Sequence, residues 1–191
     1  ITEKDIPWQR ISQAKWFYLA PFSRRKISFL KKIISFARKN DIKVALNPSQ
    51  TEILSLKKHK DLISEIDLFF LNEKENALFL NCLGQWNEKA IKEKIKEFKI
   101  EHLVVTRAEK GAVVFWENEV FSLPSKKVKI VDTTGAGDMF AAGFLYGLTY
   151  GEDIEVAGNI GSYVAAKVVE QIGARLNQKV DIQWIKEKIM K

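Results

Sequence analysis

Val131-Asp132-Thr133-Thr134-Gly135-Ala136-Gly137-Asp138 leads without a break into Met139-Phe140-Ala141-Ala142-Gly143-Phe144-Leu145-Tyr146-Gly147-Leu148. The β-prone residues 128–131, then two threonines and two glycines, then apolar residues at helical spacing predict a strand, a tight turn and a helix over 137–148. A turn at a helix N-terminus presents backbone N–H groups with no partner inside the helix, at the positive end of the dipole. An anionic oxygen is its natural occupant. The glycines let the backbone approach that oxygen closely. Asp138 falls in the first helical turn. A carboxylate there can take the proton of an attacking hydroxyl while N–H groups hold the charge that develops on a transferred phosphoryl group. Helix initiation alone would account for a lone Gly-x-Gly beside an acid, so the length of the string matters.

Around this stretch the chain alternates strand and helix patterns. Residues 15–20, 43–47, 67–72 and 101–106 read as strands, and 112–116 with 120–123 as an antiparallel hairpin about Glu117-Asn118-Glu119. Residues 1–13 suit a turn and a short helix. Ile27, Leu30, Ile33, Ile34 and Ala37 recur at three and four, which marks a helix over 23–40. Shorter helical pieces are expected over 51–59 and 61–66, then helices over 73–83 and 87–98 around a Gly84 break, and further helices over 154–171 and 181–189. One α/β domain over 1–191 with a mostly parallel sheet and an antiparallel edge is the expected architecture. Ligands of such sheets bind beyond the carboxyl ends of the strands. Asn47, Asn72, Thr106 and the central turn are all expected on that rim.

With 191 residues, 46% of them apolar, the chain can bury a sizeable core. No apolar run is long enough to span a bilayer, and residues 1–5 resemble neither a signal nor a transit peptide. The single Cys82 excludes an internal disulfide framework and gives no metal cluster, which fits a reducing cytoplasm. The net charge of +7 comes from lysines scattered along helices among glutamates. That distribution suits solvated helix faces around a site for an anionic substrate better than a nucleic-acid groove. His59 and His102 have no partner at metal or catalytic spacing, and the five tryptophans read as packing residues.

The string from Asp132 to Asp138 is similar, without a departure, to the ATP-site signature Asp-Thr-x-Gly-Ala-Gly-Asp of the ribokinase-like (PfkB) carbohydrate kinases. The resemblance implies a ribokinase-like three-layer sandwich. It also implies ATP-dependent phosphotransfer to a primary hydroxyl of a sugar or nucleoside, with Asp138 as base and the N–H groups of Gly135, Ala136 and Gly137 on the transferred group. Asn72-Glu73-Lys74-Glu75 resembles the family's Asn-x-x-Glu motif, which implies that Asn72 and Glu75 organise Mg²⁺ and the phosphates, Glu75 through water. Helix capping explains that segment on its own equally simply. Thr106-Arg107-Ala108-Glu109-Lys110-Gly111 resembles the nucleotide loop Thr-x-Gly-x-x-Gly, with Thr106 and Gly111 present and Ala108 in place of the first glycine. Since alanine tolerates positive φ poorly, either the loop backbone differs or that position is not left-handed.

Residues 158–166 and 171–174 look like the helix and turn that wall the adenine, which assigns Ser162 and Gly173 to the nucleotide and hints at the adenosine-kinase-like branch. Small residues there would equally serve close helix packing, Asn159 included. Asp132 and Thr134 match positions that in many relatives help hold an activating monovalent cation such as K⁺. Of the family's Asp-x-Asn-x-Arg pattern only Asn47 survives. The resemblance covers the C-terminal part of a family member, so residues that would choose the acceptor are expected elsewhere and this chain reads as a fragment of a longer kinase. The implied partners are a small sugar or nucleoside and a second subunit of a homodimer, with no nucleic acid and no membrane. A non-catalytic module that keeps the nucleotide site to sense ligand or hold a partner is the rival reading.

Overall fold

The computed structural model describes residues 5–21, 27–82, 85–176 and 187. The helix expected over 181–189 and the break at Gly84 lie outside these, as does the start of the helix expected from residue 23. The packing divides the chain into two compact units, Ile1–Val105 and Thr106–Lys191.

In the first unit α1 (Trp8–Ile11) precedes β1 (Trp16–Leu19), α2 (Ile27–Lys39), β2 (Lys43–Leu46), α3 (Gln50–Leu56), α4 (Lys60–Ile63), β3 (Leu68–Asn72), α5 (Glu73–Leu80), α6 (Glu88–Phe98) and β4 (His102–Thr106). The strands lie in the order β1-β2-β3-β4, and β1 pairs in parallel with β2 as β2 does with β3. Strands covered on both faces read as unbroken apolar runs rather than alternating ones. Val44 to Leu46, Leu68 to Leu71 and Leu103 to Val105 are all buried, as that rule requires. The apolar stripe of α2 (Leu30, Ile33, Ile34, Ala37) is buried with them. Phe79 stands between Phe69 and Phe98, with ring centroids 5.3 and 5.8 Å away.

Among the described residues of this unit two carboxylates are buried, Glu52 on α3 and Asp67 ahead of β3. Asp67, 5% exposed, precedes β3 and accepts from the Val44 N–H through Oδ2 at 2.6 Å and from Arg38 through Oδ1 at 2.9 Å. Arg38 also donates to the Glu65 carbonyl at 2.6 Å. A buried carboxylate is tolerable only when paired and hydrogen-bonded, and this one ties α2 to the entries of β2 and β3. His102 is buried as well, a structural histidine in keeping with its lack of catalytic spacing. Its burial, reinforced by Lys43, pushes its pKa down to about 4.

The second unit holds a 3₁₀ turn (Ala108–Lys110), β5 (Ala112–Trp116), β6 (Glu119–Leu123), α7 (Ala136–Thr149) and α8 (Ile154–Val169). β5 and β6 form the expected antiparallel hairpin, with Ala112 opposite Leu123 and Trp116 opposite Glu119. The two helices approach very closely, since a Cβ added at Gly143 would lie 2.9 Å from the Gly161 Cα. The small residues of α8 therefore serve helix packing first. The α/β class, with parallel strands and an antiparallel hairpin, is as expected. Residues 128–131, however, form no strand. Ile130 and Val131 are 62% and 50% exposed, and the N–H groups of Val131 and Asp132 donate to the Val169 carbonyl at the end of α8. The β-branched residues fit a strand, but the backbone finds its acceptor at a helix terminus instead of on a strand.

Two outcomes test the Asp67 cluster. Asp67→Ala leaves the Val44 N–H and Arg38 short of an acceptor, so denaturant unfolding should show a loss of about 3 kcal/mol. A histidine held neutral leaves stability unaffected above its ordinary pKa and lowers it as pH falls from about 6.5 to about 4, because the unfolded chain then binds a proton that the folded one refuses. His102→Gln should flatten the urea midpoint over that window, and an unchanged slope would show that other groups set it.

Candidate active site

Gly135 is the hinge of the central turn. Its φ of +80° and ψ of 0° place it in the left-handed region as the N-cap of α7, with no side-chain cap. A Cβ there would meet the Ala174 Cβ at 2.6 Å, so both backbone and space demand glycine. The Ala136 N–H donates to the Thr133 carbonyl at 3.2 Å, and the Met139 N–H returns to Gly135 at 2.9 Å. Gly137 and Asp138, the second and third helical residues, are exposed, and nothing lies within 4 Å of a Cβ built on Gly137. The turn thus offers open backbone at the positive end of a 14-residue helix, with a carboxylate in its first turn.

Asp132 locks this turn in place. Its Oδ1 accepts from the Thr134 N–H at 2.9 Å and the Thr134 hydroxyl at 2.7 Å, and its Oδ2 accepts from the Gly173 N–H at 3.0 Å. These donors, the Thr134 hydroxyl foremost, hold the Asp132 carboxyl below the usual carboxylate range. The structure therefore brings Asp132, Thr134, Gly135 and Gly173 together. Ser162 is buried on α8. Asn159 is occupied on both ends of its amide, donating to the Glu155 carbonyl at 3.0 Å and accepting from Lys126 at 3.4 Å. Nothing in the sequence signalled the Asp132–Gly173 bond, which spans 41 residues.

Ala108 resolves the question raised by its place in the nucleotide loop. Its φ is +50°, so the left-handed backbone is kept and alanine bears the strain. The loop is closed by the Arg107 N–H to the Gly111 carbonyl at 2.7 Å and by the Ser125 hydroxyl to the Glu109 carbonyl at 2.6 Å. Gly111, with φ +88°, admits no other residue, since a Cβ would lie 2.0 Å from the Leu123 carbonyl oxygen. Thr106 ends β4 just ahead of this loop.

In the first unit Asn72 caps α5, accepting from the Glu75 N–H at 2.9 Å, while Glu75 Oε2 accepts from the Asn72 N–H at 2.8 Å. Burial pushes the half-buried Glu75 carboxyl up, against the pull of the Asn72 N–H. Asn47 follows β2, and because β2 and β3 run parallel it shares the carboxyl edge with Asn72. The Asn47 Oδ1 is buried without a hydrogen-bond partner. Among the described residues no group of three or more His, Cys, Asp or Glu forms a metal cluster, and no helix is long and apolar enough to cross a membrane.

The loop makes a paired prediction. Ala108→Gly should raise stability by about 1 kcal/mol by relieving the left-handed alanine. Gly111→Ala should destabilise by about 3 kcal/mol or more, or prevent folding. Equal and small effects of the two substitutions in thermal unfolding would contradict the loop geometry.

The chain is similar to known proteins in sequence and in fold. The sequence profile of the pfkB family carbohydrate kinases matches residues 1–180. The adenosine kinase of Saccharomyces cerevisiae is 30% identical over 183 residues, covering 88% of this chain and 53% of that protein. A sugar kinase of Archaeoglobus fulgidus is 35% identical over 114 residues, covering 60% and 44%. The chain spans about half the length of these curated relatives. Among solved structures, a probable sugar kinase of Rhizobium etli superposes with a TM-score of 0.82 at 23% identity, over 99% of this chain and 58% of that one. A putative ribokinase of E. coli, solved in complex with ATP and Mg²⁺, gives 0.79 at 21% identity, over 98% and 62%. The fold is therefore ribokinase-like, and the chain belongs to the pfkB family of carbohydrate kinases.

Proposed function

We propose that this chain binds ATP–Mg²⁺ and carries the catalytic base for transfer of the γ-phosphoryl group to a primary hydroxyl of a sugar or nucleoside. The observation that carries the reading is the turn from Gly135 to Asp138, open backbone at a helix N-terminus with an exposed carboxylate in the first turn. Asp138 takes the proton of the acceptor hydroxyl as it attacks in line. The N–H groups of Gly135 and Gly137, with Ala136 sharing its own with Thr133, hold the equatorial oxygens of a loose transition state. Thr106, Gly111, Ser162 and Gly173 hold the nucleotide.

Hard oxygen donors fit Mg²⁺, which keeps most of its waters and takes few ligands from protein. Glu75 has such a donor, since its Oε1 has no partner among the described residues while Oε2 is held by Asn72. Glu75 would hold the ion through water, with Asn72 beside it on the phosphates, and the ion would neutralise their charge. An activating K⁺ would draw on the hard oxygens of the Asp132 and Thr134 turn. The adenosine kinase and sugar kinases among the relatives support an acceptor of either kind.

Calorimetric titration with ATP–Mg²⁺, followed by ADP release across a panel of sugars and nucleosides, tests the reading. Saturable binding is expected, and its absence would overturn the assignment. Binding without turnover on any acceptor would mean that the nucleotide half of the site is built and the acceptor half is not. In the presence of a working acceptor, Asp138→Asn should lower turnover by about 10²–10⁴-fold with ATP affinity nearly unchanged. Wild-type turnover in that variant would remove Asp138 from the role of base.

A further inference from the structure

We infer that Asp132 is a positioning residue, whose carboxylate yokes the turn 171–176 to the turn 131–138 and so presets the distance between two parts of one nucleotide site. This rests on the nucleotide-binding reading above. Its own basis is geometric. Each carboxylate oxygen serves a different turn, Oδ1 taking two donors from Thr134 and Oδ2 the Gly173 N–H at 3.0 Å. Bonds from N–H or O–H to an ionised acceptor are about twice as strong as neutral ones, and this acceptor joins segments 41 residues apart.

The yoke has few competitors. The middle of the 171–176 turn has little apolar anchorage, since Ile172 is 85% exposed and Gly173 sits at φ +92° with nothing within 4 Å of a built Cβ, whereas Leu176 at its end packs against Ile160 and Val164. Other ties near Gly173 are the Gln171 N–H to the Val168 carbonyl at 3.3 Å, the Gln171 side chain to the Arg175 carbonyl at 2.6 Å, which is internal to the turn, and the contact of Ala174 with Gly135. The Ala174 contact is one of shape and resists approach, not separation. The bond from Gly173 to Asp132 resists separation. Together they fix the spacing from both sides. With both oxygens already engaged by protein donors, the Asp132 side chain acts on the nucleotide through the two turns, with or without a cation beside it.

Asp132→Asn separates the two halves of the yoke. The amide oxygen can still accept from Thr134, but the NH₂ group cannot accept the Gly173 N–H. Hydrogen exchange on the ligand-free chain should then show the Gly173 amide exchanging about tenfold faster, with Thr134→Val leaving Gly173 at the wild-type rate. Calorimetry should show affinity for ATP–Mg²⁺ falling about tenfold while affinity for Mg²⁺–tripolyphosphate, which has no base or sugar to span the two turns, stays at the wild-type value. A general loss of structure would weaken both ligands alike, so the split marks positioning. Unchanged Gly173 exchange in Asp132→Asn, or equal losses for the two ligands, would overturn the proposal. So would a loss seen in K⁺ but abolished in choline buffer, which would make Asp132 a cation ligand. Failure of the wild-type chain to bind either ligand would instead defeat the functional reading itself, and the positioning role with it.

Discussion

The second unit depends on one close approach, that of Gly135 to Ala174. The backbone at Gly135 must turn left-handed to launch α7, and the space a side chain would need is already filled by Ala174. This contact requires α8 to end where it does, and the Val169 carbonyl at that end accepts from both Val131 and Asp132. The entry to the turn and the exit of the helix are thus fixed against each other before any ligand is considered. Glycine-tight packing between α7 and α8 then holds the axis along which the helix dipole points.

Much of the architecture was legible because burial on both faces leaves an unmistakable trace. The runs Val44 to Leu46, Leu68 to Leu71 and Leu103 to Val105 contain no polar residue, and helices with apolar residues at three and four separate them. Residues 128–131 misled for a physical reason. β-branched side chains favour extended backbone, but a strand exists only where a neighbouring strand accepts its N–H groups, and here the acceptor belongs to α8. Ala108 shows the opposite lesson. Its identity argued against a left-handed residue, yet the surrounding loop, closed by Arg107 and Gly111, imposes that conformation.

What the sequence could not show were the bonds between distant residues. Asp67 is readable as a polar residue opening an apolar run, but not as the partner of Arg38, 29 positions earlier. Asp132 is readable as part of a motif, but its use of Gly173 depends on where α8 stops. Local pattern carries the elements and the motif residues. The acceptors and donors that lock the elements together are decided by tertiary geometry, which no spacing encodes.

The two capping boxes of the first unit supply an internal comparison that bears on how such motifs are interpreted. Ser49 and Glu52 start α3 with the same reciprocal bonds that Asn72 and Glu75 use to start α5, at the carboxyl ends of neighbouring parallel strands. Glu52 is only 7% exposed and accepts from both the Ser49 N–H and its hydroxyl, so its carboxylate is spent within the fold. Glu75 performs the same local task while its side chain is only partly buried. Two sites of the same design thus differ in surplus bonding capacity, and only the one with capacity to spare can acquire a second duty without losing its first.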